Sequence, residues 1–139
     1  ETLGVMVGRD HPLYESQDPL PAEEVARLEF ALLTTGFVTR NRIDEYFALE
    51  RITPKVVIEV NSVSTLLEVI RHTAIATILP EPIATQDRAL RKIPLLGEAP
   101  KRGAALLRRK NNYHSAASVA FMELVSAAVA DESAKSIIH

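Results

Sequence analysis

Cysteine and tryptophan are both absent from the 139 residues. Without a thiol there is no disulfide frame, no cysteine nucleophile and no thiolate metal site. Glycine occurs only five times, which leaves little room for a glycine-rich phosphate loop, and no Gly-x-Ser-x-Gly elbow is present. Aromatic residues amount to four Phe and three Tyr, so a core must come mostly from Leu, Ile, Val and Ala. No apolar run approaches the roughly 20 residues of a membrane span. Neither sign of charge dominates: 16 Lys and Arg oppose 18 Asp and Glu, for a formal net charge of -2. That balance supplies no basic face for nucleic acid. What is present, 47% hydrophobic and 24% charged residues with a mean hydropathy of +0.05, is the composition of an ordinary folded domain rather than a disordered chain.

Catalytic sets are also missing. The histidines, His11, His72, His114 and His139, show no pair at metal-ligand spacing with a third donor nearby. His72 falls late in a predicted helix, where a cation suits the dipole, and His11 precedes a proline in a loop, which reads as an exposed residue. Glu23, Glu24 and Glu29 read as solvated acids rather than a general acid/base couple. The expectation is a non-enzyme with no catalytic residues, no metal and no cofactor. The opening residues, Glu1 to Val7, carry neither an initiator Met nor a basic leader, and read as an internal cut point.

Along the chain, residues 2–7 form an apolar strand-like run halted by Gly8-Arg9-Asp10-His11-Pro12. Residues 22–28 read as one or two helical turns with acids early. Phe30-Ala31-Leu32-Leu33 has the length and continuity of a buried parallel strand. Thr39 is then expected to N-cap a helix bearing Ile43, Tyr46, Phe47 and Glu50, ended by Thr53-Pro54. The pattern repeats with the β-branched strand at residues 55–60, capping residues Asn61, Ser62 and Ser64, an apolar helix face of Leu66, Leu67, Val69 and Ile70, and a strand over residues 74–79 closed by Pro80 and Pro82. Strand, hydroxyl cap, helix, strand is the βαβ signature of an open parallel sheet covered by helices. Right-handed crossovers place both helix N-termini at the carboxyl edge of that sheet. Further on, residues 90–95 read as a strand that Pro94 confines to an edge or terminal position. Residues 104–107 read as another strand, Asn111-Asn112 as a turn, and Ser115 as the cap of an alanine-rich helix. That helix sets Val119, Phe121, Met122, Leu124, Val125 and Val129 on one side, with residues 131–139 as a fraying tail.

Two hydroxyl-rich helix starts stand out: Thr34-Thr35-Gly36-Phe37-Val38-Thr39-Arg40 and Asn61-Ser62-Val63-Ser64-Thr65. Each offers unpaired backbone N–H groups, a positive dipole end and hydroxyls. Opening at one sheet edge, they would face a crevice suited to a small anion. The simpler alternative is N-capping alone. Arg40 has two readings, a charge-assisted ligand contact or a surface charge beside Asp44 one turn on. The basic run Arg108-Arg109-Lys110, with Lys101 and Arg102 upstream, reads as a solvated rim.

A family resemblance is carried by Leu3-Gly4-Val5-Met6-Val7, His11-Pro12-Leu13, Arg42-Ile43-Asp44, Glu59-Val60-Asn61-Ser62-Val63-Ser64, Val69-Ile70 and Ile75-Ala76-Thr77-Ile78-Leu79-Pro80 in that order. Over residues 3–125 the sequence resembles the effector-binding domain of LysR-type transcriptional regulators. Residues 61–80 and 106–111 look most like the cyanate-operon activator branch. The resemblance implies an α/β fold like the type 2 periplasmic binding proteins, with a complete lobe II built of parallel βαβ units and an incomplete lobe I. In that scheme residues 1–7 are a crossover strand, 8–85 the effector-binding lobe II, 86–95 the returning crossover, and 96–139 the C-terminal part of lobe I and a tail. It further implies effector contacts on both corners, at Phe37, Thr39, Arg40, Asn61, Ser62, Val63 and Ser64, with Phe37 and Val63 as walls. Residues 64–72 and 75–79 would be lobe II's share of an antiparallel dimer interface. The expected partners are a small anionic effector, a second copy of the chain in a homo-oligomer, DNA only through a winged helix-turn-helix that this sequence lacks, and no membrane; the expected location is the cytoplasm. An exported solute-binding protein of the same fold is the alternative, and a standalone interaction domain using the alanine-rich helix a third.

Overall fold

The computed structural model describes residues 1–85, 87–103, 105, 107 and 115–136. They fall into two compact units, Glu1–Gly103 and Ala104–His139. The first holds β1 (Leu3–Gly8), α1 (Ala22–Val25), β2 (Glu29–Leu33), α2 (Val38–Leu49) and β3 (Lys55–Val60). It continues with α3 (Val63–Arg71), β4 (Thr77–Pro80), α4 (Glu81–Thr85) and β5 (Leu90–Ile93). The second unit carries α5 (Ala116–Ser136).

The β2-α2-β3 segment is a parallel βαβ unit, with β2 and β3 paired from Glu29↔Lys55 to Leu33↔Val60. A one-residue slip after Phe30 skips Val57, which lies with Lys55 and Glu59 on the exposed side of the alternating strand and is 43% exposed. β4, β1 and β5 form a second, antiparallel sheet in that order, so the sheet is mixed rather than parallel throughout. A parallel bridge, Phe30↔Ala76, joins the two. Its hydrogen bonds run from Ala31 N–H to Ala76 C=O and from Ala76 N–H to Glu29 C=O, both 2.9 Å. β5 lies at the edge and stops one residue before Pro94, as a proline without an N–H requires.

Side-chain alternation in β2 sorts the core onto two faces. Phe30 and Leu32 pack with Ile43, Tyr46 and Phe47 of α2, while Ala31 and Leu33 pack with Leu66 and Ile70 of α3. β1 does the same, sending Leu3, Val5 and Val7 to the first cluster and Met6 to the second. Strands buried on both faces are why these runs read as continuously apolar. The Phe30 and Phe47 rings lie 5.6 Å apart at 54°, a tilted pairing that adds to their burial.

Several boundaries differ from the sequence reading. Phe37, not Thr39, is the N-cap of α2, and Thr39 is the second residue inside the helix. α2 ends at Leu49, well before Pro54: Arg51 turns left-handed (φ 55°). Ile52 N–H then reaches back to Phe47 C=O at 2.8 Å and Arg51 N–H to Ala48 C=O at 3.2 Å, a Schellman stop. Ser62 does cap α3, accepting from Thr65 N–H. Pro80 sits inside β4 opposite Leu3, and Pro82 inside α4. His11 is buried, not exposed: its Nδ1 accepts Leu13 N–H at 3.1 Å, and burial holds its pKa below the ordinary imidazole value.

Ser115 caps α5 through a bond from Ser118 N–H. The helix runs on to Ser136, past residue 131 where the sequence predicts a fraying tail. Phe121, Leu124 and Val129 on it are exposed. Of the expected strand at residues 104–107, Ala104 and Leu106 lie outside the described residues, as do the basic run 108–110 and the Asn111-Asn112 turn, while Ala105 and Leu107 have no regular structure. Among the described residues no helix is long and apolar enough to cross a membrane.

Candidate functional site

The two hydroxyl-rich corners adjoin. Leu33 and Val60 pair at the carboxyl ends of β2 and β3, and Thr34 N–H donates to Val60 C=O at 2.9 Å, so both following helices open at one edge. Phe37 and Val63, one at each corner, are half-buried against the same apolar cluster. Thr35, Gly36, Asn61 and Ser64 are exposed around them.

The corners are not equivalent. Phe37 has no side-chain oxygen, so the first amides of α2 have no side-chain cap, and an uncapped N-terminus presents donors and a positive dipole end. At the other corner Ser62 Oγ accepts from Thr65 N–H at 3.4 Å and lies 2.8 Å from Ser64 Oγ. Two hydroxyls in mutual contact leave a spare proton or lone pair for a ligand.

Thr39 is buried, and its Oγ1 accepts from Nη1 of Arg102 at 3.2 Å. Arg102 in turn donates from Nε to the Glu1 carboxylate at 2.6 Å. Residues 1–3 and 100–102 pair here, through the Thr2↔Lys101 bridge and Leu3 N–H to Pro100 C=O at 2.9 Å. Arg102 thereby ties the α2 corner to both segments. No local pattern pointed to it, because it lies 63 residues from Thr39.

Arg40 is no surface charge. It is 9% exposed; Nε donates to Asp44 at 2.9 Å, and Nη1 donates to the carbonyl of Leu33 at 2.7 Å and to the carboxylate of Glu59. Burial pulls its pKa down, but the hydrogen bonds to Asp44 and Glu59 outweigh it and hold the value above that of a free guanidinium. Glu59 carries no local signal of this role: it meets Arg40 only once the parallel pairing of β2 with β3 brings the acid level with the first turn of α2.

Three clefts among the described residues lie away from the junction of the two corners. One of about 340 Å³ runs between α2 and residues 98–101, one of about 460 Å³ between His11, Leu13, Leu28 and Ala74, and one of about 310 Å³ along α3, where Ser64 lines its end. Among the described residues no group of three or more His, Asp or Glu could hold a metal ion.

The profile of the LysR substrate binding domain family matches residues 1–130. Solved structures share the fold. The effector binding domain of QuiR in complex with shikimate superposes with a TM-score of 0.67 at 23% identity, covering 88% of this chain and 58% of that one. The Synechocystis PCC6803 CcmR regulatory domain in complex with 2-PG gives 0.73 at 17%, covering 91% and 62%. Full-length CbnR complexed with its target DNA gives 0.62 at 17%, covering 72% and 36%. The chain thus spans less than two thirds of the length of each of these structures. With most of its length matched, this chain belongs to the LysR substrate binding domain family.

Proposed function

We propose that the two corners are one wall of an effector site that takes a small anionic metabolite, and that the chain is the sensing portion of a LysR-type DNA-binding regulator. The observation that carries this is the joining of the α2 and α3 starts through Thr34 and Val60, which turns two N–H-rich helix ends toward one edge. Ser62 and Ser64 supply polar contacts, Phe37 and Val63 the apolar walls, Asn61 an exposed amide beside them, and Thr39, buried with its Oγ1 accepting from Arg102, contributes through its hydroxyl proton. The shikimate and 2-PG carried by the QuiR and CcmR structures are small acids, in keeping with such a site.

In this reading residues 8–85 are the effector lobe, 1–7 and 86–95 its crossings, and 96–139 the return to a second lobe that completes the cleft. An effector bridging both lobes stabilises the closed arrangement, and its differential affinity shifts the oligomer on DNA. Residues 64–72 and 75–79 contribute to a homodimer, and DNA contact belongs to an N-terminal winged helix-turn-helix of the parent protein in the cytoplasm. Family membership favours this over an exported solute-binding protein. Within the family, the likeness of residues 61–80 and 106–111 to the cyanate-operon activator branch supports placing the chain in that branch.

Calorimetric titration of the full regulator with shikimate and other small carboxylates and oxyanions tests the site. Ser64→Ala and Thr39→Ala are each expected to weaken binding about tenfold or more, as loss of a hydrogen bond to a charged group does. Unchanged affinity in both variants removes these corners from the site.

A further inference from the structure

Arg40 has more partners than a cap or a surface ion pair needs, and they come from three elements. Leu33 closes β2, Glu59 stands one residue before the end of β3, and Asp44 lies one turn beyond Arg40 in α2. Glu59 also precedes Ser62, the cap of α3, by only three residues. One side chain therefore spans from the α2 corner to the strand that delivers the α3 corner.

We propose that Arg40 is a positioning residue of the effector site: its guanidinium fixes the α2 corner against the α3 corner and does not itself bind the effector. Charge supports the distinction. A guanidinium facing the Asp44 and Glu59 carboxylates gives a cluster of formal charge -1, which does not attract an anion through space. Burial supports it too, because Nε and Nη1 are already committed to protein acceptors. A guanidinium can hold several acceptors at fixed angles, which a lysine cannot do. Its effect on affinity is through preorganisation: two corners held at a set spacing lose less freedom when a ligand bridges them.

The influence on affinity rests on the proposed effector site, whereas the clasp is a property of the ligand-free protein, and the two are tested separately. Amide spectra of the ¹⁵N-labelled full chain are compared without ligand for wild type, Arg40→Gln, Glu59→Gln and the double variant. The clasp requires cross-corner effects: Arg40→Gln shifts the amides of residues 61–65, Glu59→Gln shifts those of residues 36–40, and Glu59→Gln adds nothing to residues 36–40 once Arg40 is changed. Shifts confined to the corner that carries the substitution overturn it. Should Arg40→Gln fail to fold, Glu59→Gln and Asp44→Asn supply the same comparison.

Shikimate and inorganic sulfate then serve as probes of affinity. As a positioning network, Glu59→Gln weakens binding about tenfold, comparable to the loss of supporting partners around other preorganised sites, although it removes a like charge. Were Arg40 a direct ligand, the same change would release its guanidinium and tighten binding, and that result overturns the proposal. Binding of neither probe by wild type counts against the anion site alone, and the amide comparison still decides the clasp.

Discussion

Arg51 holds a left-handed backbone at the end of α2 (φ 55°), a conformation that costs an L-residue about 1–2 kcal/mol. Its N–H is already used in the helix stop, so glycine fits without disturbing a bond. Arg51→Gly is expected to stabilise the domain by about 0.5–1 kcal/mol after glycine's extra unfolded-state entropy is counted, read as a rise in urea midpoint at constant slope. His11 gives a pH-dependent counterpart. An unfolded histidine titrates near 6.5, and burial lowers the folded value. Between those two values the unfolded chain binds more protons, so the His11 contribution is complete above about pH 6.5 and declines as pH falls toward the folded value. Protonation would also end Nδ1's role as acceptor for Leu13 N–H. Asparagine offers an oxygen close to the Nδ1 position; His11→Asn should keep most of the stability at pH 7 and flatten the loss of Tm between pH 6.5 and 5.

At the scale of elements, β1 ends where α3 presses on it. A Cβ built on Gly8 would overlap the carbonyl oxygen of Ile70 and crowd the Arg71 backbone, and backbone has no rotamer to give. Gly8→Ala is therefore expected to cost about 2 kcal/mol or more by forcing α3 off the strand, measured as a lower urea midpoint. The individual elements of this region were legible in the sequence because their signals are local: β-branched runs for β2 and β3, and Ser62 three residues before its amide partner Thr65. Contacts from afar were not. Thr39 read as a cap because hydroxyls usually are, yet Arg102 takes its Oγ1 from 63 residues away. Likewise the antiparallel pairing of β1 with β4 and β5 leaves no mark on residues 3–8, since a strand buried on both faces carries the same apolar run in either direction. Both corners of the candidate site were legible as hydroxyl-rich helix starts. The ion cluster joining them was not, because Arg40 and Glu59 meet only after the parallel pairing of β2 with β3 sets their level.

On the scale of the whole first unit, the question is how a parallel pair and an antiparallel trio become one structure. The ladder between them is thin: one bridge, Phe30↔Ala76, with two hydrogen bonds of 2.9 Å. Thin pairing alone would let the halves open separately. The side chains argue otherwise, since Phe30, Leu32, Val5 and Ile78 share one cluster and Ala31, Leu33, Met6 and Leu79 share the other. Separating the sheets would expose both clusters at once, at about 25 cal/mol per Å² of apolar surface, far more than two hydrogen bonds return. Native-state hydrogen exchange can read this directly. The amides of Ala31 and Ala76 should exchange with the same opening free energy as Val5 and Met6 in β1, and shift in parallel with them when urea is added. Lower values confined to the bridge amides would mean that the two sheets open independently. The two hydroxyl-rich corners, both attached to the parallel pair, would then be uncoupled from β1 and β5 of the antiparallel sheet.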